Sequence, residues 1–215
     1  LPENASSERK LILQNLGAKI HFTSPLEGTD GAQRFVKNLV SQFPDRYYYP
    51  DQYNNPHNWL AHFETTGPEI WNQTQQSVTH FLCGLGTTGT FIGTSRFLKT
   101  KNVHCIAIHP DNPMHGLEGW KFLLTAIVPG IYDEKVADEN REVDTIQAFR
   151  YTVSAAKHLG LFISPSAGAN LCAAMEYAGI IKKGNIVNVF SDNGLKYLHE
   201  SFWSNRDYHT ENLFI

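Results

Sequence analysis

Val78-Thr79-His80-Phe81-Leu82-Cys83 runs straight into Gly84-Leu85-Gly86-Thr87-Thr88-Gly89-Thr90. A short apolar run that ends in clustered glycines and is followed by a helical pattern, Phe91 to Lys99, reads as strand, tight turn, helix. Val103 to Ile108 is a second apolar run, so the stretch closes as a βαβ unit with a glycine-rich first turn. Such a turn aims several backbone N–H groups and a helix N-terminus at one spot, which favours an anion there. Gly84-x-Gly86-x-x-Gly89, with Asp111 beyond the next strand, matches the dinucleotide pattern. Thr87, Thr88 and Thr90 crowd the same turn with hydroxyls suited to the several oxygens of a terminal monophosphate. A tight turn without any ligand is the plain structural alternative.

Upstream, Ser6 and Ser7 are placed to cap a helix through Leu11, Leu13 and Leu16 that ends near Gly17, followed by a strand from Lys19 to Phe22. Asp30 is placed to cap a helix through Phe35, Val36, Leu39 and Val40. Tyr47 to Tyr49 reads as a strand, and Trp59 to Phe63 and Pro68 to Trp71 as helical pieces. Downstream, Asp144 to Leu159 reads as a long helix stopped by Gly160, Leu161 to Ile163 as a strand, and Gly168 to Ala178 as a helix. Asn185 to Phe190 is a further strand, and Leu195 to Phe202 is helical. Strands alternating with helices predict an α/β fold with mainly parallel, twisted sheets flanked by helices.

The 215 residues are 41% hydrophobic and 18% charged with a net charge of −3, and the mean hydropathy is −0.32. That balance offers no electrostatic footprint for nucleic acid, and no apolar run approaches the ~20 residues that span a membrane. A small-molecule partner is expected. Cys83, Cys105 and Cys172 are far apart in apolar segments and read as buried thiols in a reducing compartment, which points to the cytoplasm. His57 and His62 are five apart, and no other histidine pair sits at a ligand spacing on one helical face, so no metal site is expected. A chain opening on Leu1-Pro2-Glu3-Asn4 is expected to be cut, processed or part of a longer one.

Ser164-Pro165-Ser166-Ala167-Gly168-Ala169 lies between a strand and a helix, where Ser166 is suited to be an N-cap. Thr65-Thr66-Gly67-Pro68-Glu69-Ile70-Trp71 reads as a turn that starts a short helix. In order and spacing, these segments and the glycine turn, with Ser95-Arg96-Phe97 after it, resemble the pyridoxal-phosphate-dependent cysteine synthases (O-acetylserine sulfhydrylases). These belong to the fold-type II, tryptophan synthase β-like group. Leu1-Pro2-Glu3-Asn4-x-Ser6-x-Glu8-Arg9, Gln52-Tyr53-Asn54-Asn55-Pro56-x-Asn58, Val128-Pro129-Gly130-Ile131 and Asp192-x-Gly194-x-x-Tyr197-Leu198 extend the resemblance. Thr88, where other members have glycine, points to the B branch.

The resemblance implies pyridoxal 5′-phosphate as cofactor, with Gly86, Thr87, Thr88, Gly89 and Thr90 around its phosphate, Ser166 at the pyridine nitrogen, Asp192 near the ring and Gln52 near the substrate carboxylate. It implies acetate loss from O-acetyl-L-serine to an aminoacrylate and addition of sulfide to give L-cysteine. It further implies a homodimer and a serine acetyltransferase partner. Residues 1–60 would be the remainder of a smaller, mobile substrate-side domain, and 61–215 a large phosphate-binding domain.

Three departures matter. The family's Schiff-base lysine lies in a Ser-x-Lys-Asp/Asn-Arg stretch, and its substrate-carboxylate loop is Thr-Ser/Gly-Gly-Asn-Thr; neither string occurs in these 215 residues. Both are expected in a missing N-terminal part, so this chain is taken as the C-terminal two-thirds, inactive by itself, with a non-catalytic, lysine-less binding or regulatory relative as the alternative. Gly116-Leu117-Glu118-Gly119 stands where B-branch relatives carry arginines beside Trp120, which disfavours anionic substrates. Ser164-Pro165 replaces the usual Gly-Ile or Gly-Val before Ser166. Beyond the resemblance, the tail ends in Ile215, whose carboxylate could occupy an amino-acid site; a frayed end is the alternative.

Overall fold

The computed structural model describes residues 1–209 and 212–214. The expectation about the Ile215 carboxylate lies outside the described residues. Contacts divide the chain into two compact units, Leu1–Asp51 with Leu195–Glu200, and Gln52–Gly194 with Ser201–Ile215.

The first unit is built on α1 (Ser7–Asn15) and α2 (Gly28–Gln42), with a 3-10 turn at Pro25–Glu27 leading into α2. Ser6 precedes α1 without making a capping bond. Ser24 caps the 3-10 turn, its side chain accepting from the Leu26 N–H, whereas α2 follows Glu27 without a side-chain cap and Asp30 sits inside its first turn. Arg9 donates to the Tyr197 hydroxyl (2.8 Å), holding the 195–200 segment to this unit. Lys19–Phe22 and Tyr47–Tyr49 are not strands. Beside Lys19–Phe22 the Leu1 amine donates to the His21 carbonyl (3.0 Å) and Pro2 makes an isolated bridge to Thr23, but a strand exists only where a neighbour completes its ladder.

The second unit carries α3 (His57–Glu64), α4 (Thr66–Gln73), β1 (His80–Gly84), α5 (Gly89–Lys99), β2 (His104–Pro110), β3 (Glu139–Val143), α6 (Thr145–Ser154), α7 (Pro165–Ala178) and β4 (Ile186–Asn188). The four strands form one parallel sheet in the order β3-β2-β1-β4. Both faces are covered, which is why β1 and β2 are apolar without alternation. Phe81 and Cys83 pack with Phe91, Ile92 and Leu98 of α5 on one face. Leu82, Ile106 and Ile108 pack with Ala148 of α6 and Ala169, Cys172 and Ala173 of α7 on the other.

β3 was not legible as a strand, because Glu139-Asn140-Arg141-Glu142 is polar. It occupies the sheet edge, where charge is tolerated and discourages pairing with other chains. α6 is capped by Asp144, which accepts from the Gln147 N–H (2.9 Å). It continues through one π-helical stretch, Ala155–Leu159, to Gly160 at φ 66°, the left-handed stop that glycine supplies without a steric cost. Among the described residues Leu161–Ile163 forms no strand and makes an isolated antiparallel bridge, Ile163 to Asn193. Of the tail, Phe214 packs against Ala155, Ile163 and Ala167.

Candidate functional site

The glycine turn sits at the carboxyl end of β1, with β2 on one side and β4, last in the chain, on the other. That is where strand order reverses, the place where open parallel sheets leave a crevice for a ligand. Three groups of residues press on the turn.

The 116–121 loop lies against it first. A side chain at Gly84 would overlap the Trp120 ring, one at Gly86 would overlap the Gly119 carbonyl, and the Lys121 N–H donates to the Leu85 carbonyl (2.8 Å). Gly84 and Gly86 are therefore required by the protein's own loop, not by the approach of a pyrophosphate. That removes the reason for reading the spacing as a dinucleotide fingerprint.

Asn58, in the first turn of α3, is the second neighbour. Its Nδ2 donates to the Gln52 carbonyl (2.6 Å) and to Thr87 Oγ1 (3.1 Å), and its carboxamide occupies the space a Cβ on Gly89 would need. Gln52 is thus tied to the turn through Asn58. The third neighbour is His62. Gly93 lets α3 lie directly on α5, since a Cβ there would strike the Trp59 carbonyl and the His62 Cβ. This brings His62 Nε2 to 3.2 Å from Thr90 Oγ1, while its Nδ1 lies 2.9 Å from Thr66 Oγ1. Burial holds the His62 pKa below the ordinary histidine value, so the ring is neutral near pH 7.

The three threonines differ. Thr87 accepts from Asn58 and keeps its own proton to donate, and Thr90 is held by His62. Thr88 is in the left-handed region at φ 73°, directly before α5, and makes no side-chain cap. Its hydroxyl is buried without a hydrogen-bond partner, so Thr88 offers the turn its backbone N–H and not its oxygen. The Gly89 N–H donates to Thr87 Oγ1 (3.5 Å); first-turn N–H groups that have no intrahelical acceptor suit a compact, highly charged anion. A phosphate monoester meets that description.

Ser166 is the second residue of α7. The N-cap is Ser164, whose Oγ accepts from the Ala167 N–H (3.3 Å) and lies 3.1 Å from Ser166 Oγ. Ser166 is therefore not the cap of α7. Pro165 takes the first helical position, where its missing N–H is no loss and its fixed φ fits. Asp192 lies just before Asn193 and Gly194. The Gly194 N–H donates to the Phe162 carbonyl (3.0 Å), so the 192–194 segment runs beside the extended segment leading to Ser164. Asn170, one turn beyond Ser166, accepts from the Gly84 N–H (2.8 Å) and joins α7 to the base of the turn.

No sequence motif marks Asn58, His62 or Asn170 as site residues; the spacing of His62 from His57 bears only on metal ligation. Among the described residues no group of three His, Cys, Asp or Glu side chains converges as metal ligands, and no described helix is long and apolar enough to cross a membrane. A cleft of about 980 Å³ along the β3 edge, lined by Phe122, Tyr132, Lys135 and Arg141 among others, contains none of the candidate residues.

Residues 1–192 match the family model described as pyridoxal-phosphate dependent enzyme. A cysteine synthase of Aquifex aeolicus is 46% identical over 213 residues, covering 96% of this chain and 65% of that protein. Cysteine synthase B of Escherichia coli is 31% identical, covering 92% of this chain and 65% of that protein. The crystal structure of cysteine synthase from Entamoeba histolytica superposes with a TM-score of 0.84 at 27% identity, over 95% of this chain and 63% of that one. The chain thus spans about two-thirds (65%) of the length of the curated relatives it matches. With a parallel sheet, a phosphate-suited turn at its switch point and a family match over nearly the whole length, this chain belongs to the pyridoxal-phosphate dependent enzymes.

Proposed function

We propose that this chain is part of an enzyme of the cysteine synthase B type, which makes L-cysteine from O-acetyl-L-serine and sulfide. The observation that carries this reading is the 46% identity with a cysteine synthase over 96% of the chain. Pyridoxal phosphate, when bound, supplies an electron sink for the α-carbon of an amino acid and so permits loss of its β-substituent.

The chain's own residues fit that cofactor. Gly86, Thr87, Thr88, Gly89 and Thr90 would hold the phosphate, by backbone N–H groups at the start of α5 and by the hydroxyls of Thr87 and Thr90. Asn58 donates to Thr87 Oγ1 (3.1 Å), which leaves the Thr87 proton to point elsewhere. Ser166 would face the pyridine nitrogen. A neutral hydroxyl there holds its proton on oxygen and leaves the ring nitrogen largely unprotonated, which favours elimination over transamination. Gln52 would lie near the substrate carboxylate and Asp192 near the ring.

Residues 1–60 are read as the remainder of the substrate-side domain and 61–215 as the cofactor domain of a homodimeric, cytoplasmic enzyme with a serine acetyltransferase partner. Since no lysine here sits in the family's Schiff-base context, the 215 residues alone are proposed to hold the cofactor weakly and to turn over no substrate. Titrating the chain with pyridoxal phosphate and with pyridoxal, followed by tryptophan fluorescence, tests the reading. Binding that depends on the phosphate group, with no cysteine formed, is expected. Equal affinity for both compounds would overturn the phosphate assignment, and borohydride reduction that fixes the cofactor on a lysine of this chain would overturn the missing-lysine reading.

A further inference from the structure

β1 pairs with β4 over three residues, His80 with Ile186, Phe81 with Val187 and Leu82 with Asn188, yet β1 continues beside β2 as far as Gly84. The His80 N–H donates to the Asn185 carbonyl, one residue before its partner. Side alternation along a strand sends the Leu82 and Gly84 N–H groups the same way. Two steps on, the pattern would deliver the Gly84 N–H to the Val189 carbonyl. Instead the Asn170 carboxamide stands between them: Oδ1 accepts from Gly84 (2.8 Å) and Nδ2 donates to Val189 (2.8 Å). Asn170 is 3% exposed, and its backbone carbonyl accepts from Asn188 Nδ2 (3.1 Å), tying α7 to β4. A side-chain amide is spliced into the ladder at the rung where β1 and β4 part.

An amide has a fixed width, so the crevice at the switch point has one too. Ser166 lies four residues before Asn170 and shares its helix face, while Gly84 is the residue on which the phosphate turn starts. We propose that Asn170 is a positioning residue, a wedge that holds β1 off β4 and sets the distance between the phosphate turn and Ser166. This rests on the cofactor reading given above. Inorganic phosphate touches the turn alone, whereas pyridoxal phosphate must reach the turn and Ser166 together. A wedge therefore matters to the second ligand and not to the first.

The test uses Asn170→Asp, which loses the donor to Val189, and Asn170→Leu, which loses both bonds, in the 215-residue chain. Inorganic phosphate binding is read from the Gly86–Thr90 amide shifts and pyridoxal phosphate binding from tryptophan fluorescence. Pyridoxal phosphate affinity should fall about tenfold or more relative to phosphate affinity, the size of one lost buried hydrogen bond. A parent chain that binds pyridoxal phosphate no better than phosphate would overturn the cofactor reading and this inference with it. A parent that prefers pyridoxal phosphate, with variants that keep the full preference, would overturn the wedge alone. Asn188→Ser, which unties only the backbone of Asn170 from β4, serves if the first variants do not fold; a smaller loss confined to pyridoxal phosphate is expected, and an unchanged ratio again refutes the wedge.

Discussion

Thr88 carries two costs at once in the ligand-free chain, and replacing it should make the protein more stable. Its φ of 73° places a β-branched residue in the left-handed region, which costs about 1–2 kcal/mol. Its hydroxyl is 2% exposed with the residue and bonds nothing, a further cost of about 1–3 kcal/mol. Thr88→Gly removes both. Against that stand the lost burial of the methyl group, about 1 kcal/mol, and the added freedom of glycine in the unfolded chain, about 0.5–1 kcal/mol. The net expectation is a gain of about 1–2 kcal/mol, or roughly 2–6 °C in Tm for a chain of this size. Thr88→Val separates the terms, because it keeps the branched side chain and the strain but replaces the orphaned hydroxyl with a methyl. It should gain about 1 kcal/mol through the hydroxyl alone. Urea unfolding of the three chains, followed by circular dichroism without ligand, measures both differences. Loss of more than ~1 kcal/mol in Thr88→Gly would refute the strain, and loss in Thr88→Val would show that the hydroxyl has a partner.

Three further outcomes are expected. Burial holds His62, His80 and His115 below the ordinary histidine pKa, so the unfolded chain takes up protons near pH 6.5 that the folded chain refuses, and Tm should fall as pH is lowered from about 7.5 to 5.5; a flat or rising profile contradicts this. Burial pushes the Cys83 thiol up to about 12 and Cys105 to about 11, and Cys172 is raised by burial and by Glu176; iodoacetamide at pH 8 should therefore leave the folded chain unlabelled and modify all three after unfolding, and prompt labelling of the folded chain would refute the burial. Thr87→Ala should weaken phosphate binding by about 1–3 kcal/mol through a lost donor, and Gly89→Asp should abolish it by setting a carboxylate in the cradle beside Asn58; parent-like binding by both would move the anion site away from this turn.

What the sequence disclosed divides along a physical line. The βαβ unit was legible because strand, turn and helix are each encoded locally, in an apolar run, clustered glycines and a helical period, and Gly160 stops its helix for a reason local to itself. β3 was not legible, since Glu139 to Glu142 are chosen for an edge and an edge strand is defined by its neighbour. Lys19–Phe22 failed in the opposite sense, with strand-like composition and no ladder to join. The site shows the same division. Gly86 to Thr90 could be proposed as an anion site from sequence because the features that favour an anion, a glycine turn and a helix start, are local. Pro165 moved the cap of α7 from Ser166 back to Ser164, a shift of two residues that decides whether Ser166 is used up locally or left for another partner. Asn58, His62 and Asn170 act across the fold, through a helix contact that Gly93 permits and a rung that β1 and β4 leave unmade. No spacing within a sequence reports a rung that is missing. The bonds of Asn170 are therefore the part that only the three-dimensional register could disclose, and it is on them that the proposed wedge between the glycine turn and Ser166 rests.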